Sequence, residues 1–157
     1  MIALEIPIKG GLVAVDPEDA HLVLRQHCYV KNDHSGRVQY VMLTRKGRTL
    51  LLHRLIMNAP KGVEVDHIDG SGLNCCKDNM RLCSRSDNAK NRRGNKNKKS
   101  CSLKGVFWAK DNKRWRAKIK SDNKTYHLGY FDDPREAALA YDHAARELHG
   151  EFAVTNL

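Results

Sequence analysis

Asp66, His67, Asn79 and Asn88 are the residues whose types and spacing could do chemistry. They fall within Val63 to Asn91, which reads VEVDHIDGSGLNCCKDNMRLCSRSDNAKN. A carboxylate oxygen and an amide oxygen are hard donors. Asp66 and Asn88 could hold one divalent cation and leave positions for water and a phosphate oxygen. His67 alternates to the other side of its strand and need not be a ligand. A neutral imidazole beside a metal-bound phosphate can take the proton from an attacking water. The Asn79 amide could close the intervening loop or orient the imidazole. Together these groups make a minimal phosphodiesterase site.

The elements that must position them can be read from the same stretch. Val63 and Val65 alternate with polar neighbours and predict a strand that ends at Asp66-His67. Ile68 to Asn74 is rich in turn formers. Met80 and Leu82 alternate in the same way and predict a second strand over Asn79 to Cys83. Ser84 or Ser86 is a suitable N-cap for a short helix carrying Asn88. The order is strand, loop, strand, helix.

Asp66-His67, Asn79 and Asn88, within the text VDHIDG, DNMRL and RSDN, resemble the HNH endonuclease family, in the branch found in phage-type homing endonucleases. The resemblance covers Leu52 to Arg92. It implies Asp66 and Asn88 as metal ligands, His67 as general base and Asn79 as the Asn that braces the loop. The closing position is often His in that family. Here it is Asn88, as in the nicking homing enzymes, so a His-ligated zinc does not carry over. The expected ion is Mg²⁺, with Mn²⁺ as the alternative.

Composition narrows the partner. The formal net charge of +10 and sequence pI near 9.5 point to a polyanion. No apolar run approaches the ~20 residues that a membrane span needs, and MIALEIPIKGG lacks the pattern of a secretory signal. Nucleic acid is therefore the expected partner, with no membrane, and the HNH resemblance narrows it to double-stranded DNA. The five cysteines, Cys28, Cys75, Cys76, Cys83 and Cys101, form no Cys-x-x-Cys pair. They argue against structural zinc and for free thiols in a reducing cytoplasm. For a phage-encoded chain that would be the bacterial host's cytoplasm.

Residues 1–51 carry less information. Asp16-Pro17-Glu18-Asp19 predicts a helix start, with Ala20, Val23 and Leu24 as its apolar face. His27 to Lys31, Val38 to Thr44 and Arg48 to Leu52 predict short strands in a small antiparallel sheet. Arg37, Arg45, Lys46 and Arg48 could touch a DNA backbone or form a solvated basic face. His53-Arg54 opens a short helix, and His53 is read as structural or phosphate-contacting rather than catalytic.

Beyond the second strand the chain turns basic. Arg81, Arg85, Lys90, Arg92, Arg93, Lys96, Lys98, Lys99 and Lys104 face a lone acid, Asp87. Gly94 to Ser100 has no apolar residue and predicts a linker. Arg85, Arg92, Arg93, Lys98 and Lys99 suit tracking along phosphates.

The last third predicts a compact unit. Lys104 to Ala109, Arg114 to Ser121 and Thr125 to Gly129 read as strands. In the second, Trp115, Ala117 and Ile119 alternate with Arg116, Lys118 and Lys120, which gives a core face and a basic face. Asp132-Asp133-Pro134 starts a helix that runs to His149 and stops at Gly150, with Ala137, Ala140, Tyr141, Ala144, Ala145 and Leu148 as its buried stripe. The text KGVFW, KRWRAKIK, YHLGYF, REAALAYDHAARELHG and FAVTNL resembles the AP2 DNA-binding domain. That implies a three-stranded sheet laid in the major groove, which can admit strands as it admits a helix. Expected contacts are Arg114, Arg116, Lys118 and Lys120, with Lys104, Lys110 and His127 beside them. Two first-strand positions that carry base-reading Arg in the plant transcription factors are Phe107 and Ala109 here, so their target sequence does not transfer.

The fold expected is α+β. A ββα-metal HNH core over 52–93 follows a small antiparallel β region over 1–51. A basic linker over 94–101 then leads to an AP2 domain over 102–157, a three-stranded antiparallel sheet plus one helix. The function expected is a metal-dependent, site-preferring nicking endonuclease of homing type, monomeric, with a dimer as the route to double-strand breaks. The alternatives are a sequence-specific DNA-binding regulator whose HNH core is inert, and a relatively nonspecific nuclease or one acting on RNA or branched DNA.

Overall fold

Alternating apolar residues, turn glycines and one long amphipathic stretch translate, among the described residues of the computed structural model, into ten strands and four α-helices. The structure describes residues 2–32, 39–91 and 101–157. The class is mixed, with small antiparallel sheets and few helices. The chain divides into two compact units, Met1–Arg85 and Ser86–Leu157. Among the described residues no helix is long and apolar enough to cross a membrane.

The first unit begins with a hairpin that the sequence pattern did not announce, β1 (Leu4–Ile8) and β2 (Gly11–Val15). Gly10 supplies the positive φ of 94° that its turn requires. A 3₁₀ turn over Pro17–Asp19 leads into α1 (Ala20–Leu24). Then β3 (His27–Asn32), β4 (Gln39–Arg45) and β5 (Arg48–Leu51) form an antiparallel meander with β4 central. Next come α2 (Leu52–Ile56), β6 (Glu64–His67) and β7 (Met80–Cys83), the last two paired antiparallel.

One hydrophobic core joins all of this. Val13 and Val15 of β2, Val41 and Leu43 of β4, Leu52 of α2, Val65 of β6, Cys75 and Met80 share a single buried cluster. Burying each large aliphatic side chain stabilises by about 1.5–3 kcal/mol. Residues 1–51 and the Asp-His strand are therefore parts of one folded body.

The second unit contains α3 (Arg85–Lys90), which starts at the division, then β8 (Val106–Ala109), β9 (Arg114–Ser121) and β10 (Lys124–Phe131). These strands form a meander with β9 central, and α4 (Pro134–His149) packs on it. Asp133 caps α4 by accepting the Arg135 N–H at 2.7 Å. The buried side of α4 differs from the expected stripe at several positions. Ala138 and Asp142 are fully buried, whereas Ala140 is half-buried. Asp142 goes inside because amide donors meet it there, as described below. Cys101 packs against the core of this unit. The rest of the basic linker, with Arg92, Arg93, Lys98 and Lys99, lies outside the described residues, as does Arg37.

The loop between β6 and β7 is seated on the N-terminal sheets. A β-carbon on Gly72 would stand 2.1 Å from the carbonyl oxygen of Gln39 and 2.9 Å from the Tyr40 ring. A backbone oxygen on β4 cannot yield as a flexible side chain would. Gly72→Ala is expected to lower the first unit's melting temperature by on the order of 10 °C, which follows from an overpacking cost of about 1–3 kcal/mol. Calorimetry on the purified variant measures this. A shift of a degree or two would mean that the loop is not held so closely.

Candidate active site and a basic sheet face

β6 delivers Asp66 and His67 to the heart of the first unit, where both are more than nine-tenths buried. Asp66 is directly opposite Arg81 on β7. Its Oδ2 accepts from Arg81 Nε at 2.9 Å and Nη2 at 2.8 Å. A charge-assisted pair of this kind fixes the carboxylate's rotamer and offsets the cost of burying it. Nothing in the sequence pattern singled out Arg81. Its signal was position alone, two residues past Asn79 on the strand facing Asp66.

His67 sits among rings. His53 of α2 meets it edge-on, with centroids 5.0 Å apart and planes at 88°. Tyr40 of β4 lies 5.4 Å from His53 and 6.3 Å from His67. Burial pulls the His67 imidazole below its ordinary pKa, against the opposing pull of Asp69 and Asp66. The ring is thus neutral near pH 7, the form that can accept a proton. Burial, the neighbouring His67 and then Arg54 bring His53 down to about 3. His53 is 5% exposed, and its Nδ1 has no hydrogen-bond partner in the structure. Arg54 donates to the carbonyls of Val63 at 2.6 Å, Ala59 at 3.1 Å and Pro60 at 2.8 Å, which fastens the connection that feeds β6.

The loop after His67 is closed by an amide–carboxylate clasp. Asn79 Oδ1 accepts the Asp69 N–H at 3.1 Å, and Asn79 Nδ2 donates to Asp69 Oδ1 at 3.0 Å and to the Asn74 carbonyl at 2.9 Å. Asp69 also accepts from the Ser71 N–H at 2.7 Å and from Asn74 Nδ2 at 2.9 Å. Burial alone would raise the Asp69 pKa. These donors and His67 outweigh it and hold the carboxyl below its usual range. The sequence reading placed Asn79 in this loop but missed Asp69 and Asn74, which looked like ordinary turn residues.

Residues 1–51 hold the far side of the same loop. The Ala14 N–H donates to Leu73 at 2.9 Å, and the Cys75 N–H donates to Ala14 at 2.8 Å. Asp16 Oδ2 accepts the Lys77 N–H at 2.8 Å, while the Lys77 ammonium reaches Glu18 and Asp19. The N-terminal hairpin and acidic turn therefore brace the segment that carries Asn74 and Asn79.

Asn88 lies in α3, half-buried, on the other side of the division from Asp66. Among the described residues no group of three or more His, Cys, Asp or Glu side chains is arranged to hold a metal ion. Burial raises the Cys75 thiol to about 12 and raises Cys76 less, so neither offers a ready thiolate. The donor chemistry here is a buried carboxylate with its rotamer fixed by Arg81, together with amide oxygens. That set fits a hard divalent cation that keeps most of its water ligands.

In the second unit, the pairing register sorts the sheet into two faces. Phe107, Ala109, Arg114, Arg116, Lys118, Lys120, Thr125, His127 and Tyr130 share the face opposite α4. The expected contacts Arg114, Arg116, Lys118, Lys120 and His127 thus lie together. Tyr130 joins them through a bulge between His127 and Gly129, which swaps the alternation and brings Tyr130 opposite Arg116. The His127 and Tyr130 rings are 4.8 Å apart, and Lys118 Nζ stands 4.8 Å over the Phe107 ring. Phe107 and Ala109 fall on this face, as their first-strand positions implied, whereas Tyr130 was missed as a member of it. Gly129 was the available signal. Arg114 is engaged by Asp132 through bonds of 2.7 and 2.8 Å, both groups being well exposed.

Lys104 departs from that group. Its Nζ donates to the Lys90 carbonyl at 2.6 Å, and burial lowers its pKa to about 8. Its backbone is tied to Asn156, so it closes the fold rather than presenting charge on the sheet. Arg85 is exposed at the start of α3. Trp108 stacks edge-to-face on Trp115 at 5.2 Å and is 43% exposed, while Trp115 packs on the core.

Comparison with known proteins agrees with this division of labour. A family model for HNH endonuclease matches residues 51–90, and one for the AP2 domain matches residues 101–151. Protein 3.8 of Escherichia phage T7 is 38% identical over 94 residues, which span 60% of this chain and 76% of that protein. An uncharacterized HNH endonuclease of Acanthamoeba polyphaga mimivirus is 32% identical over 111 residues, 67% of this chain and 56% of the relative. Dehydration-responsive element-binding protein 2D of Arabidopsis thaliana is 46% identical over 70 residues, 41% of this chain and 32% of the relative. Both domain types point to DNA as the partner. The chain, an HNH endonuclease domain followed by an AP2 domain, belongs to the same family as the phage protein 3.8.

Proposed function

We propose that this protein is a metal-dependent DNA endonuclease that nicks one strand of a preferred site, in the manner of homing endonucleases. The HNH domain makes the cut and the AP2 domain supplies position and affinity. The observation that carries this reading is the clasp of Asn79, Asp69 and Asn74, which rigidifies the loop leaving His67. A rigid loop with a buried, neutral imidazole at its root suits proton abstraction from water. His67 takes that proton as the water oxygen bonds to phosphorus and the bond to the leaving oxygen breaks. Asp66 would hold a divalent ion together with Asn88, a pairing that rests on the ββα-metal motif spacing. Bound there, Mg²⁺ or Mn²⁺ would supply positive charge to the phosphate oxygens and the leaving oxygen. The sheet face with Arg116, Lys118, Lys120 and His127 suits phosphates and base edges in a major groove.

A single site of this kind cuts one strand, so a monomer gives nicked circles. The test uses supercoiled plasmid carrying DNA from the gene's own neighbourhood. Relaxed circles are expected with Mg²⁺ and none with excess chelator, while duplex binding persists in both. Tight, sequence-selective binding without cleavage in any divalent metal would instead make the chain a regulator with an inert HNH domain. Cleavage that ignores sequence and binding that falls steeply with salt would remove the site preference.

A further inference from the structure

His53 is a buried imidazole that the proposed mechanism leaves unused. It sits on α2, outside the Asp66-His67 strand and its loop. It is 5% exposed, and its Nδ1 makes no hydrogen bond in the structure. Its contacts in the structure are with other rings, and its role is read from those.

The ring's setting is specific. Its centroid is 5.0 Å from that of His67, with the planes perpendicular at 88°. Tyr40 backs both rings, at 5.4 Å from His53 and 6.3 Å from His67. The triangle is assembled from β4, α2 and β6, and each member comes from a separate element of one hydrophobic core. Gly72 fixes the Tyr40 corner, because its Cα lies against the Gln39-Tyr40 backbone and ring. α2 itself is anchored by Leu52 and Ile56 in the core and by the three carbonyl bonds of Arg54. A perpendicular ring pair of this kind constrains the angle of each ring.

We propose that His53 is a positioning residue for the HNH site, whose ring, backed by Tyr40, fixes the plane of the His67 imidazole. A general base works only when its nitrogen faces the attacking water, and a misplacement of ~1 Å can cost about 100-fold in rate. A His67 ring whose plane varied more widely would hold the working angle for a smaller fraction of the time. This inference rests on the endonuclease reading for its kinetic arm only.

The test compares His53→Ala and His53→Phe in the full chain. Single-turnover nicking at saturating DNA separates the rate from the Kd. His53→Ala is expected to lose about 10–100-fold in rate with Kd unchanged, and His53→Phe, which keeps a ring in the same place, to stay within about 3-fold of wild type. Thermal unfolding gives the folded fraction, and rates are expressed per folded molecule. In parallel, the His67 Cε1–H resonance is followed by NMR without DNA or metal. It is expected to broaden or shift in His53→Ala and to stay near its wild-type position in His53→Phe. Wild-type rate and an unmoved His67 signal in folded His53→Ala would overturn the proposal. So would a folded His53→Phe as slow as His53→Ala. If wild type cuts nothing, the endonuclease reading fails, and the His67 resonance alone decides whether His53 orders that ring.

Discussion

His67→Ala is expected to lower metal-dependent nicking by about 10²–10⁴-fold, the range that a positioned general base contributes. That corresponds to about 3–5 kcal/mol of transition-state stabilisation. The argument runs from the site outward. His67 follows Asp66 on β6, is buried, and is kept neutral chiefly by that burial. Among the described residues His53 is the imidazole packed on His67, and it is committed to α2 and faces that ring. Water must then attack without a base, at the rate that phosphate neutralisation alone allows. Duplex binding should stay within about twofold of wild type, since the sheet face of Arg116, Lys118 and Lys120 belongs to the other unit. His67→Asn is a useful companion. It fills part of the cavity and keeps a polar atom, yet an amide cannot take the proton at neutral pH, so it should be as inactive as the alanine variant. Supercoiled-plasmid nicking with single-turnover kinetics measures both. Equal activity in wild type and both variants would remove His67 as the base and point to a contaminating nuclease.

How much of this was legible beforehand depended on whether the signal was local. β9 and α4 run over Arg114–Ser121 and Pro134–His149, the bounds read from the sequence. Strict alternation fixed the first. An Asp-Pro start and a Gly stop fixed the second, with Gly150 taking the positive φ of 52° that such a stop favours. Asp66-His67 and Asn79 were legible because their spacing is a motif within one short stretch. What surrounds them was not. The β1–β2 hairpin reaches the loop through Ala14 and Asp16, roughly sixty residues upstream of Cys75 and Lys77. Tyr40 and His53 reach His67 only because β4, α2 and β6 share one core. Pairings across such separations leave no periodicity to read. The β10 bulge failed differently, since one extra residue reverses which side chains face outward, and in YHLGYF only Gly129 marks where the reversal falls. Lys104 was taken as a phosphate contact by charge alone, whereas burial against Lys90 and the Asn156 tether decide its place.

The largest stability effect is expected from Asp142, a carboxylate that composition would have put on the surface. It is fully buried on α4, where it accepts the Asn156 N–H at 2.8 Å, the Asn156 side-chain amide at 2.9 Å and the Leu157 N–H at 2.9 Å. Asn156 in turn grips Lys104, accepting its N–H at 2.6 Å and donating to its carbonyl at 3.1 Å. One carboxylate thus ties the segment after α4 to the residues that lead into β8. Asp142→Ala takes the acceptor away from three part-buried N–H groups at once. Each unsatisfied buried donor costs about 1–3 kcal/mol, and partial relaxation toward water brings the sum to about 3–5 kcal/mol. For a unit of this size the melting temperature should fall by on the order of 15–20 °C. Asp142→Asn should fall between, because its amide keeps one acceptor oxygen but turns two hydrogens toward donors. Asn156→Ala should be non-additive with Asp142→Ala, since both break the same network, and the double variant should lose little more than the worse single one. DNA binding would weaken at elevated temperature through unfolding of the sheet and recover on cooling. Differential scanning calorimetry of the four proteins decides the matter. A shift below about 5 °C for Asp142→Ala, or strict additivity with Asn156→Ala, would show that the C-terminal segment is held by other contacts and that the buried carboxylate is not its anchor.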